Sequence, residues 1–203
     1  MINAKKADDM LDTAPLRDAY RALLDAAAAV AGSDDPGPVP PASEWNADQI
    51  LAHVAIVTAA TIAAACCVAS GASATYDNRL ALDTWTIERL IARAGGNAGL
   101  RDRIRRQGDS LCALGGAALS EAELGALVPT LLLSNGTVLV DQLVPLRDLI
   151  TGLAGVELPT HTTQLLSLLP GGGGRGSGPS QAAQPNTGPD GQVRPLLSRA
   201  QPA

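Results

Sequence analysis

The chain contains no phenylalanine, and aromatic residues make up only 2% of its 203 positions. Apolar residues still reach 46%, so any core must be assembled from Ala, Leu, Val and Ile. That composition favours close helix–helix packing over a sheet, which draws on β-branched and aromatic side chains. Cysteine is also scarce. Cys66, Cys67 and Cys112 are odd in number, two are adjacent, and no C-x-x-C occurs. This excludes a disulfide framework and suits a reducing cytoplasm, with the thiols packed as small apolar groups. Positive charge is in deficit, with a net charge of −5. The one arginine cluster, Arg101, Arg103, Arg105 and Arg106, reads as a solvated helix face, so no basic face for nucleic acid forms. The N-terminal residues lack the apolar stretch of a signal peptide. Heavy Ala and Gly usage points to a high-GC genome.

The longest apolar run is Ile50–Ser70, with no charged side chain. Its length meets the criterion for a membrane span. Ala and Thr dominate it, however, and its flanking charges are Asp48 and Asp77, not Lys or Arg. The expectation is a buried core helix and no membrane contact. It carries His53, one of only two histidines. Helical spacing puts Ile50, His53, Val54 and Val57 on one face. An imidazole there is a satisfied core residue, a metal ligand or an acid/base group.

Other segments carry helix signals. Thr13-Ala14-Pro15 opens a helix in which Leu16, Tyr20, Leu23, Leu24 and Ala27 recur up to Ala31. Residues 33–43 are a proline-rich loop. Asn46 and Gln49 make a capping-box pattern, with Trp45 as the staple before it. A third helix is expected from Asp77 to Arg93, ended by Gly95-Gly96. Asn97 can cap a further helix whose seam is Leu100, Ile104, Gln107, Leu111 and Leu114. Ser120 and Glu123 form a second capping box. Residues 128–146 are ambiguous. Ser134-Asn135-Gly136-Thr137 between apolar runs suits a hairpin turn, but also a break between helices. Helices are expected, because no other strand offers itself for pairing. Leu146, Leu149, Ile150 and Leu153 mark another helix. Of residues 170–203, fourteen are Gly or Pro, which predicts a disordered tail. The organisation expected is a frayed stretch over 1–12, one helical domain over 13–169, and the tail.

Glu157 and His161 lie four residues apart, one turn of a helix. With His53 they offer three ligands, the number that catalytic zinc takes while leaving a position open. Two histidines and a carboxylate also hold other divalent metals. The competing reading makes His53 a core residue and Glu157 and His161 a solvated helix start. Asp141 and Asp148 are the candidates for a general base, and surface charge explains them equally well.

The run WNADQILAH, from Trp45 to His53, resembles the DinB-like superfamily, whose pattern is W-x-x-x-x-L/I-L-x-H. The run ELPTHTTQL, from Glu157 to Leu165, resembles the E-L-x-x-H-x-x-D-L motif of the mycothiol-dependent maleylpyruvate isomerases. The resemblance spans roughly residues 13–169. It implies an all-α, antiparallel four-helix bundle with zinc on His53, Glu157 and His161. It also implies a cytoplasmic, actinobacterial enzyme using mycothiol as thiol cosubstrate on a small electrophile, as an isomerase or transferase. Three departures stand out. Pro159 in a helix interior would lose a backbone bond and clash with Gly155, so a break at Gly155 and a restart near Leu158 are expected. Gln164 stands where the motif has Asp. A Gly/Pro-rich stretch stands where the isomerases carry a second domain. These departures keep open a non-catalytic binding or regulatory module. An Ala-rich surface is compatible with a homodimer.

Overall fold

Two local signals set the first long helices. A computed structural model describes residues 11–33 and 44–170, and everything below concerns those residues. The expected proline-rich loop and tail fall almost entirely outside them. Helix α1 (Ala14–Ala31) has Pro15 in its first turn and buries Leu16, Tyr20, Leu23, Ala26 and Ala27. The Ala14 N–H donates to Asp12 Oδ1 at 2.9 Å, so Asp12 serves this helix start, while the Thr13 side chain makes no capping bond. Helix α2 (Ala47–Ala69) starts on the Asn46/Gln49 capping box, both bonds at 3.0 Å. Helix α2 is long and apolar enough to cross a membrane, yet 61% of its most apolar window is buried within the fold.

The expected third helix is divided. Strand β1 (Tyr76–Asp77) is followed by a single turn, α3 (Arg79–Leu82), and then α4 (Thr84–Ala94). Asp83 causes the division. Its backbone is extended and its carboxylate accepts from the Thr86 N–H at 2.8 Å, capping α4. Helix α5 (Asn97–Ala113) follows Gly95 and Gly96, both with positive φ. Gly96, not Asn97, takes the cap position, and the Asn97 amide instead donates to Asp48 Oδ1. Leu100, Ile104 and Leu111 are fully buried, and Gln107 donates to the Ala55 carbonyl of α2 at 3.1 Å. Helix α5 runs into a π turn, Leu114–Ala118, and α6 (Glu121–Leu124) starts on the Ser120/Glu123 capping box.

The expectation of helices over residues 128–146 is corrected. Strands β2 (Leu127–Ser134) and β3 (Thr137–Pro145) form an antiparallel hairpin. Asn135 and Gly136 both have positive φ, at 51° and 72°, the requirement of the tight two-residue turn that matches strand twist. A hairpin supplies its own partner, and β1 adds a third strand, parallel to β2 with Tyr76 opposite Thr130. The described residues are therefore mostly helical, with one small sheet. Tyr76, Val128 and Thr130 bury the sheet's inner face.

The last helical stretch runs through α7 (Leu146–Gly152), a π segment (Leu153–Glu157) and α8 (Leu158–Ser167). Helix α5 packs on both α1 and α2, α1 packs on α8, and α8 meets α2.

At Gly108, α5 comes close to the Tyr20 ring of α1. A Cβ there would sit 2.9 Å from Tyr20 Cδ2 and 3.0 Å from its Cγ. The ring is held, because its hydroxyl shares a 2.9 Å hydrogen bond with Thr58. Gly108→Ala should therefore destabilise the fold by about 1–2 kcal/mol net of the better helix propensity. A lowered urea midpoint at unchanged m-value is the expected observation.

Candidate metal centre

His53 stands in the second turn of α2, on a helix fixed by its capping box and buried among the other helices. Its Nδ1 lies 2.8 Å from the Ala81 carbonyl oxygen. A carbonyl only accepts, so Nδ1 carries the proton. The other ring nitrogen, Nε2, lies 2.9 Å from Glu157 Oε1. A neutral ring would aim an unshared pair at a carboxylate oxygen. That contact is favourable only with a proton or a metal ion at Nε2.

His161 completes the arrangement. Its Nε2 is 3.3 Å from the same Glu157 oxygen, and its Nδ1 is 2.7 Å from Gln164 Oε1. The candidate ligand atoms all lie within 4.8 Å of one another. Both rings thus have an acceptor behind Nδ1, the support that orients ligating histidines and fixes their tautomer. Trp45 covers the pair, its ring centroid 4.8 Å from His53 and 6.5 Å from His161. The two histidines are 3% and 2% exposed, while the Glu157 side chain is 34% exposed. The cluster therefore meets solvent at its carboxylate.

Pro159 does not separate Glu157 from His161, contrary to the break expected at Gly155. The backbone at Gly152, Leu153, Glu157 and Leu158 is right-handed helical throughout. The Leu158 N–H reaches back five residues to the Leu153 carbonyl, and Pro159 sits in the first turn of α8. The π turn absorbs the proline, and the helix continues. The residues themselves carry the sign of it. Buried positions run Leu146, Leu149, Ile150, Leu153 and then Leu158, His161 and Leu165. The step of five from Leu153 to Leu158 is one residue too long for a plain α-helix and matches a π insertion.

Burial pushes the Glu157 carboxyl upward, but hydrogen bonds from His161 and His53 outweigh it and hold the group well below the usual carboxylate range. Burial pushes the Tyr76 phenol up to about 12, opposed by its hydrogen bond with Thr61 and reinforced by the nearby Glu157 charge. Tyr76 is therefore a neutral neighbour of the cluster at pH 7. A depressed folded-state value means that Glu157 stabilises the fold above the unfolded carboxylate range, about 4.3, and loses that contribution as pH falls below it. Glu157→Gln should flatten this acid limb in a plot of urea midpoint against pH.

All three residues singled out in the sequence thus come together, and their donor set of two imidazole nitrogens and a carboxylate oxygen can hold a metal ion. Asp141 and Asp148 do not join them; both are exposed, on β3 and α7. The Ala81 carbonyl and Tyr76 escaped the sequence reading. A backbone acceptor has no residue signature, and Tyr76 lay just ahead of an expected helix. Compared with family models, curated proteins and solved structures, the chain shows no significant match to any.

Proposed function

We propose that His53, Glu157 and His161 hold a divalent ion, zinc by the resemblance to the isomerase motifs, in a DinB-like four-helix bundle. On this reading the chain is a cytoplasmic, thiol-dependent isomerase or transferase acting on a small electrophile, with mycothiol as the thiol. The observation that carries the metal site is the convergence of two Nε2 atoms on one carboxylate oxygen, with both Nδ1 atoms already satisfied. A bound divalent ion supplies Lewis-acid chemistry, lowering the pKa of a thiol and holding the thiolate ready for attack. The chain's own residues do the rest. His53 and His161 present ring nitrogens, Glu157 supplies the negative charge and the solvent-facing side, and Trp45 excludes water from the ring faces. The thiol and the electrophile rest on the resemblance of residues 45–53 and 157–165 to the isomerase motifs. The partners proposed are small molecules, with no nucleic acid and no membrane. The exposed Leu127, Leu139 and Leu143 on the hairpin are compatible with a homodimer.

Gln164 favours a second reading, a binding or regulatory module without the chemistry. A neutral amide behind His161 raises ligand basicity less than the carboxylate of the motif would. Metal analysis after zinc loading and desalting, followed by a thiol-consumption assay, separates the readings. About one equivalent of zinc with thiol-dependent turnover supports the enzyme, and one equivalent without turnover supports the module. Less than about 0.2 equivalents, with no thermal shift on adding zinc, defeats the enzyme reading.

A further inference from the structure

Asn78 links the sheet to the metal cluster through hydrogen bonds. Asn78, at the end of β1, replaces a strand residue with its side chain. Its Nδ2 donates to the Leu133 carbonyl and its Oδ1 accepts the Leu133 N–H, both at 2.9 Å. Its own N–H donates to the Leu131 carbonyl at 3.3 Å. The reverse amide orientation would set donor against donor, so this pairing with β2 is unambiguous. The Asn78 carbonyl then accepts the Ala81 N–H at 2.9 Å, closing α3. The Ala81 carbonyl in turn accepts from His53 Nδ1. Three steps of hydrogen bonding therefore run from the hairpin to the imidazole through a single helical turn.

We infer that Asn78 is a positioning residue of the metal centre: by latching α3 to β2 it holds the Ala81 carbonyl where it fixes the His53 tautomer. Asn78 touches none of the three ligands and acts through Ala81 alone. The inference rests on the metal reading of the cluster. Partners one step behind metal ligands typically govern affinity by 10–100-fold. Linkage makes the effect reciprocal, so bound zinc should also slow amide exchange at Leu133.

The test uses the full chain and zinc ions. Competition against a chromophoric chelator should show zinc bound at least about 10-fold more weakly by Asn78→Ala than by the wild type. Long-range proton–nitrogen NMR of the zinc-free protein should show the His53 ring leaving its Nδ1-protonated form in Asn78→Ala, with the His161 signals in place. If Asn78→Ala does not fold, Asn78→Asp keeps an acceptor for the Leu133 N–H but sets a carboxylate oxygen against the Leu133 carbonyl, and it should give the same changes. Wild-type affinity within twofold together with unmoved His53 signals overturns the inference. A wild type that binds no zinc, with His53 still disturbed by the variant, removes the metal reading and leaves the latch standing.

Discussion

Adding zinc to the purified chain should raise its melting temperature by about 5–10 °C. A ligand at 100 times its dissociation constant stabilises the native state by about 2.7 kcal/mol, and a domain of this size gains about 2–4 °C for each kcal/mol. The physical source is the cluster's need for a positive centre. His53 Nδ1 is committed to the Ala81 carbonyl, so its Nε2 meets Glu157 Oε1 at 2.9 Å favourably only through a proton or a metal ion. A bound cation takes the place of the ring protons and draws in His161, now 3.3 Å from the same oxygen. His53→Ala should melt lower than the wild type and gain nothing from zinc. A zinc-induced shift of wild-type size in His53→Ala would mean that the ligands lie elsewhere.

The second large effect is expected at Gly99, where the end of α4 meets the start of α5. A Cβ there would lie 1.8 Å from the Ala94 carbonyl oxygen and 2.8 Å from its carbon. Both atoms are backbone, so no side chain can swing aside, and the α4–α5 corner must open. Gly99→Ala should cost about 3 kcal/mol or more, despite the gain of about 1 kcal/mol in helix propensity. That corresponds to a fall of roughly 6–12 °C in melting temperature. The Gly96 end of the corner lies against Asp48, on the first turn of α2. Gly152→Ala provides the contrast. Its Cβ would meet open space within a helix, and it should stabilise by about 0.5–1 kcal/mol. Calorimetry of the two variants side by side checks both signs.

Sequence reading reached the parts of this fold that local chemistry decides. Asn46 with Gln49 and Ser120 with Glu123 each satisfy orphan backbone groups within one turn, so their spacing alone marks two helix starts. It failed where the deciding partner is remote. Asn135-Gly136 signals a hairpin, but the apolar runs around it have no period that separates strand from helix. The strand that extends the sheet is only Tyr76–Asp77, some fifty residues earlier.

The site divides in the same way. Glu157 and His161 were readable as a pair from their four-residue spacing. Their union with His53 spans 104 positions and is made by the packing of α8 on α2, which no spacing reports. Pro159 signals a break under α-helical rules alone. The five-residue step from Leu153 to Leu158 already held the π turn that accommodates it. The backbone support from Ala81 left no trace, because every residue carries a carbonyl.

Anomalous diffraction from crystals grown with one equivalent of zinc tests the metal centre most directly. One strong peak is expected within about 2.0–2.2 Å of His53 Nε2, His161 Nε2 and a Glu157 carboxylate oxygen. A crystal in which zinc sits elsewhere, with His53 Nε2 still bonded to Glu157 Oε1 alone, would contradict it.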